Sequence, residues 1–313
     1  MEQRNLGKSG LRVSAVGLGC NNFGGRLDSA ATRRVVHKAL DLGITFFDAS
    51  DTYGDPRGGA EACLGEILGA HRKSIVLATK FARPMDDSGW FEGASRRYIM
   101  AAVEASLRRL KTDWIDLYQQ HQPDLLTPIE ETLRALDDLV RQGKVRYIGA
   151  STLPAWQVVE AQWTARHLGL NRFVACQEEY SLLARGLDRD MISMLEAYGL
   201  GLIPFRPLAD GLLTGKYKRG APPPAGTRLG AMPRAAGRYL TEQNWATVER
   251  LEGCAAERGH SLLELALGWL LHRPAVASVI AGATTPEQVE QNVRAAACTL
   301  TADDINAIDR LTL

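Results

Sequence analysis

Four side chains able to hold or move a proton, Asp48, Tyr53, Lys80 and His121, stand at or just past the ends of short apolar runs. The runs read ITFFD (44–48), SIVLATK (74–80) and WIDLYQQH (114–121), with Tyr53 on the turn after Asp48. A short apolar run with a polar terminus is the pattern of a buried parallel strand that delivers one side chain to a shared rim. An acid, an amine, an imidazole and a phenol on successive strand ends form a proton-transfer set. For carbonyl reduction Tyr53 is the natural donor. A phenol titrates near pH ~10, too high for easy donation, and the Lys80 ammonium is expected to stabilise the phenolate and lower that value. Asp48 would hold Lys80 by pairing with it, and His121 would hydrogen-bond the substrate oxygen. Taken singly, each has a plainer use: Tyr53 as a loop anchor, Asp48 or Asp51 as a turn cap, Lys80 as a surface residue, His121 as a partner for backbone groups.

The elements that must position these groups alternate along the whole chain. Strand-like runs fall at 14–18, 44–48, 74–79, 114–119, 145–149, 173–177, 201–205 and 277–281. Helical patterns lie between them at 29–43, 58–70, 95–110, 127–143, 153–169, 187–199, 261–273 and 285–296, several opening on Ser or Thr and ending at Gly. Strand–helix units repeated this often in 313 residues predict an α/β fold, a (β/α)8 barrel in one domain spanning 1–313. LGKSGLRVS near the start reads as a β-hairpin plug. The rhythm breaks at 206–260, a long loop after the seventh strand, where Pro/Gly-rich GAPPPAGTRLGAMPRAAG (220–237) precedes helix-like TEQNWATVERLEGCAAERG. A loop that long is expected to be functional and to fold over a ligand on the active face.

Two turns invite ligands. VGLGCNNFGG carries Gly17 and Gly19 but has Asn22 where a dinucleotide fingerprint needs its third glycine, so it is read as a barrel loop whose glycines permit close approach. SVIAGATTPEQVEQN (278–292) runs a strand into a helix opened by Pro286, a turn where barrels bind anions through free backbone N–H groups. FARPMDDSGWFEGAS (81–95) offers Trp90 and Phe91 as apolar pocket walls.

Composition excludes other classes. The formal net charge of +1 gives no basis for nucleic-acid or anionic-membrane binding, and no apolar stretch is long enough for a bilayer. The first residues lack signal-peptide order. Five scattered cysteines without a CxxC argue against a disulfide framework or zinc ribbon and for a reducing, cytoplasmic setting; no metal site is expected. The chain reaches Leu313 soon after a final helix-like segment (301–311), from which a rather open pocket is expected.

FFDASDTYG, VLATKF, SRRYIMAAVEASLRRLKTDWIDLYQQHQPD, YIGAST, QEEYSLL and PLADGLLTGKY together resemble the aldo-keto reductases, NADPH-dependent (β/α)8 barrels that reduce aldehydes and ketones, and especially the branch akin to potassium-channel β-subunits. The resemblance implies Tyr53 as general acid supported by Asp48, Lys80 and His121, with Tyr53, His121 and Trp90 facing substrate. It implies nicotinamide contacts at Ser151, Thr152 and Gln177, with Phe205 stacking on the ring and Gly19 and Asp48 close by. The pyrophosphate would lie under 206–216 (Arg206, Leu208, Gly211, Lys216), and the adenosine end at Gly282, Thr284, Gln288 and Asn292. Thr152 stands where many members have Asn, Arg206 where Ser is common, and Thr284 where a cation often meets the 2′-phosphate. Arg228 or Arg234 would then have to supply that charge for NADPH to be preferred. The expected partner is a small carbonyl or alcohol, with a homo-oligomer left open. A Schiff-base lyase or aldolase using Lys80 and a regulatory NADPH-binding subunit are the rival readings.

Overall fold

The structure, a computed structural model, describes residues 1–312. Among these residues ten strands form two sheets: β1 (Gln3–Asn5) and β2 (Arg12–Ser14) make an antiparallel hairpin. The other eight are β3 (Val16–Gly19), β4 (Phe46–Asp48), β5 (Val76–Phe81), β6 (Ile115–Gln120), β7 (Val145–Ser151), β8 (Phe173–Glu179), β9 (Gly201–Phe205) and β10 (Val279–Gly282). They pair in parallel in the order β10-β3-β4-β5-β6-β7-β8-β9. The remaining seam is closed by backbone bonds from Leu202 N to Ala275 O (2.7 Å) and from Ala277 N to Leu202 O (2.9 Å). Eight parallel strands ringed by helices form the (β/α)8 barrel that the alternating pattern predicts.

The helices begin where the sequence supplies caps. Asp28, Ser95, Thr241, Ser261 and Thr285 each accept a backbone N–H of the first turn, and Ser261 with Glu264 completes a capping box. Pleating sorts each strand into an inward and an outward set. Phe46, Ala78, Leu117, Ala175, Ile203 and Ile280 fill the interior. Leu6 and Val13 of the hairpin join them from below, so the hairpin is the expected plug. Phe47, Leu77 and Tyr118 instead point outward into the layer shared with the helices. The next inward positions above Phe46, Ala78, Leu117 and Ala175 are Asp48, Lys80, Gln119 and Gln177, and the strand register sets them side by side: Asp48 opposite Ala78, Lys80 opposite Gln119. The polar layer at the upper mouth thus follows from period two.

The segment after β9 departs from the expected loop. It contains short helices Arg228–Ala231 and Pro233–Tyr239 inside the Pro/Gly-rich stretch, then the longer Glu242–Glu257. Thr227 accepts Gly230 N and Pro233 opens the second helix, local start signals masked in the sequence by the neighbouring prolines. No helix among the described residues is long and apolar enough to cross a membrane.

Candidate active site

Asp48 ends β4, Lys80 is the penultimate residue of β5, and His121 follows β6 directly. Lys80 is fully buried, and its ammonium has three acceptors: Asp48 Oδ2 at 2.7 Å, Ala49 O at 2.8 Å and the Tyr53 hydroxyl at 3.4 Å. Gln177 and Gln119 donate to the other Asp48 oxygen at 2.8 and 3.3 Å. Asp48 is therefore held by an ion pair and two amides, and its carboxylate in turn anchors Lys80. Burial opposes the charge on Lys80, but Asp48 and Tyr53 outweigh it and keep the amine above its ordinary range. A protonated amine with all three donors engaged and no access to the cavity has no lone pair to attack a carbonyl, which speaks against Schiff-base chemistry there.

The effect on Tyr53 is the reverse of the simple expectation. Lys80 does pull the phenol down, but burial is the larger influence and the Asp48 charge adds to it, so Tyr53 ends above its usual value. The phenol stays protonated through neutrality. Because Lys80 donates to the Tyr53 oxygen, the phenolic hydrogen is left to point elsewhere. The Tyr53 and His121 rings meet edge to face at 5.7 Å. Burial, reinforced by Lys80 and Arg83, pushes the His121 imidazole far below its normal range, so it works as a neutral ring.

A cavity of about 750 Å³ opens above this group. Its walls are formed by Asp48, Tyr53 and His121, by Ser151, Thr152, Gln177 and Phe205, by Arg206, Leu208, Gly211 and Lys216, and by Gly282, Thr284, Gln288 and Asn292, with Gly19 paired in the sheet to both Asp48 and Gly282. Every proposed cofactor residue thus lines one continuous channel. Its backbone is unusual: Thr152, Arg206 and Asp210 have φ of 57°, 51° and 54°, a left-handed conformation costly for non-glycine residues and concentrated at functional sites. Lys80, Trp90 and Phe91, all expected at the pocket, fall outside the cavity. Lys80 lies beneath it. Trp90 points away, 65% exposed, because backbone bonds from Met85 N to Phe91 O and Gly93 N to Ala82 O fold 82–93 into an outward excursion, where Trp90 stacks on Arg97 at 4.9 Å. Phe91 follows it outward, half exposed. Arg83 lines the mouth instead.

The residues fit an extended dinucleotide. Ser151 and Asn292 are more than nine-tenths buried yet make no side-chain hydrogen bond among the described residues, leaving both polar groups for a ligand. A Cβ on Gly19 would come within 3.2 Å of Ile280, and one on Gly211, at φ 98°, within 2.9 Å of the Lys216 amine. The positive φ at Gly211 favours glycine there, and both positions pack closely on their neighbours. At 278–292 the expected turn forms, but the Thr284 N–H is not free; the Gln288 side chain accepts it at 2.8 Å. Of the two loop arginines, Arg228 reaches the cavity and Arg234 does not. Arg228 Nε lies 2.9 Å from Asp210 Oδ1, with its N–H not aimed at the carboxylate. Arg206 sits between Glu179 (3.5 Å) and Asp210 (3.7 Å).

Sequence reasoning passed over Gln119, although it lies two residues before His121 on the same inward face and period two would have found it. It also passed over Asn22, Arg26, Arg83 and Asp210, all on loops whose paths no local pattern fixes.

The sequence profile of the Aldo/keto reductase family matches residues 15–312. The chain belongs to that family. It is 37% identical over 307 residues to L-glyceraldehyde 3-phosphate reductase of Escherichia coli K12, covering 94% of this chain and 87% of the relative. It is 36% identical over 305 residues to a probable voltage-gated potassium channel subunit beta of rice (94% and 91% covered), and 36% over 304 residues to the uncharacterized oxidoreductase YrpG of Bacillus subtilis. Family membership makes this protein an oxidoreductase that reduces carbonyls with a nicotinamide cofactor.

Proposed function

We propose that this protein is an NADPH-preferring carbonyl reductase in which Tyr53 protonates the substrate oxygen. The observation that carries the reading is the Lys80 ammonium, bonded at once to Asp48 and to the Tyr53 oxygen. Bound in the channel, a reduced nicotinamide supplies the hydride to the carbonyl carbon. Ser151, Thr152 and Gln177 would hold its carboxamide end, Phe205 would cover the ring, Lys216 and the 206–211 turn would take the pyrophosphate, and Gly282, Thr284, Gln288 and Asn292 the adenosine. The carbonyl oxygen lies between Tyr53 and His121. Two donors fixed by the protein then meet the negative charge as it develops, with no reorganisation needed at that moment. As Tyr53 gives up its proton, Lys80 stabilises the phenolate left behind.

Preference for NADPH rests on Arg228, since Thr284 brings no cation to the adenosine end. Arg228 is tethered near Asp210 on a loop that Arg26 also grips, through the Gly226 carbonyl. Titration with NADPH and NADH, followed by oxidation against a panel of aldehydes and ketones, tests the reading. Arg228→Ala should cut NADPH affinity by about tenfold, the scale of one charge-assisted bond, and leave NADH nearly unchanged, while Arg234→Ala should alter neither. Equal loss for both cofactors would remove Arg228 from the 2′-phosphate. Tight binding with no oxidation of any carbonyl would favour a regulatory role over catalysis.

A further inference from the structure

Behind His121 lies a buried polar chain with no role in the scheme above. The His121 Nδ1 is 3.0 Å from the Ser50 hydroxyl, and Ser50 is 3.2 Å from Asp51 Oδ1. Ser50 is fully buried and Asp51 is 1% exposed, and neither lines the cavity. Among the described residues Asp51 pairs with no cation, and its other oxygen accepts only the Tyr98 hydroxyl, at 3.3 Å. The arginine on the same helix, Arg109, is committed to Glu61 at 2.7 Å, and Glu61 also accepts Thr79 at 2.5 Å. Asp51 thus faces a second buried carboxylate, two phenols (Tyr98 and Tyr118) and an arginine already taken. A carboxyl so placed is driven toward its neutral form, and this one titrates near 7.

Hydroxyl valence turns this geometry into a switch. Ser50 has one proton to donate, and both Asp51 and the His121 Nδ1 can receive it. Thr52 gives Ser50 its N–H (3.3 Å) and can turn its own hydroxyl, 3.1 Å away, elsewhere, so it need not compete for that proton and leaves one Ser50 lone pair for Nδ1–H or for a protonated Asp51. When Asp51 is ionised, the Ser50 proton goes to the carboxylate, the stronger acceptor. Ser50 then accepts from Nδ1–H, and Nε2 carries a lone pair. When Asp51 is protonated, it donates to Ser50, Ser50 donates to Nδ1, and the ring proton is on Nε2.

We propose that Ser50 and Asp51 are positioning residues that set the His121 tautomer, so that a protonated Asp51 presents Nε2–H to the substrate oxygen and an ionised Asp51 withdraws it. The proton balance is explicit. The Nε2 proton leaves to cavity water, the Ser50 proton moves to Nδ1, the Asp51 proton moves to Ser50, and Asp51 keeps the charge. The inference rests on the Proposed function only in taking His121 as a donor to substrate; the tautomer coupling stands apart from turnover.

The test is ¹⁵N spectroscopy of the histidine-labelled protein without ligand, the His121 signals being identified by their loss in His121→Gln. Wild type should hold Nε2–H at about pH 6 and pass to Nδ1–H by about pH 8.5; Asp51→Asn, whose amide can always donate to Ser50, should stay Nε2–H throughout. A wild-type ring that keeps one tautomer across that range, or an Asp51→Asn ring that follows wild type, overturns the proposal. Wild-type spectra decide even if a variant fails to fold. In turnover, Asp51→Asn should match wild type at low pH within about threefold and lose the decline above neutrality. Ser50→Ala should cost about tenfold or more, the scale at which groups orienting a ligating or reacting histidine act. Glu178, a buried acid titrating near 8 behind Thr152, is the other group able to shape that limb; disappearance of the limb in Glu178→Gln, and not in Asp51→Asn, overturns the assignment. A tautomer switch without turnover on any carbonyl would support the relay and count against carbonyl reduction.

Discussion

Replacing Lys80 by Met removes the cation on which Asp48 and Tyr53 both depend. The Lys80 amine lies 2.7 Å from the Asp48 oxygen and 3.4 Å from the Tyr53 oxygen, in full burial. At an effective dielectric of about 20, a unit charge at the longer distance stabilises a phenolate by roughly 5 kcal/mol. Part of that is recovered as the emptied site relaxes and solvent enters. A net loss of about half leaves turnover lower by about 10². Asp48 keeps only the Gln119 and Gln177 amides, so folding should lose on the order of 3 kcal/mol, the scale of a buried pair broken from one side. Steady-state turnover against pH, beside a urea midpoint, reads both effects. The Tyr53 phenol, without Lys80 to hold it down, should titrate higher still, while a decline above neutrality set by Asp51 should stay where it is. A Lys80→Met protein with wild-type turnover would refute the reasoning.

Stability should also carry the mark of the buried acids. Asp51 titrates near 7 and Glu178 near 8 in the folded chain, against about 4 for free carboxyls. The native state therefore holds protons that the unfolded state has lost. The resulting stability is full below about pH 4, falls as pH rises toward these native values, and is flat beyond, by up to about 4 kcal/mol per group. Subtracting the Asp51→Asn curve from wild type should expose that slope between about pH 4 and 7; a flat difference would mean Asp51 ionises normally. Gly24→Ala should destabilise by about 1–3 kcal/mol and loosen the Tyr53 turn. Gly24 has φ 61°, a Cβ there would lie 2.4 Å from the Gly59 carbonyl carbon, and its own carbonyl accepts Asp55 N at 2.6 Å. An unchanged melting temperature would contradict the packing.

The barrel was legible because period-two strands and capped helices alternate audibly in the sequence, and because the four proton-handling residues fall at strand ends that the fold must bring to one mouth. The channel residues from Ser151 to Asn292 came from resemblance, and the cavity gathers them together. What local pattern could not give was loop trajectory. Trp90 was expected in the pocket wall, but its aromatic character says nothing of the turn that carries it outward onto Arg97. The balance of burial against charge at Tyr53 was also out of reach, since it depends on how deep the phenol sits. Asp51 read as a turn cap; only the packing of Glu61 and Arg109 around it exposes a carboxyl without a cation.

The central claim is that Tyr53 delivers the proton. Measuring single-turnover carbonyl reduction by Tyr53→Phe, with NADPH affinity determined on the same sample, tests it most directly. The account predicts a rate lower by about 10²–10⁴ with cofactor affinity nearly unchanged. Reduction by that variant at close to the wild-type rate would contradict it.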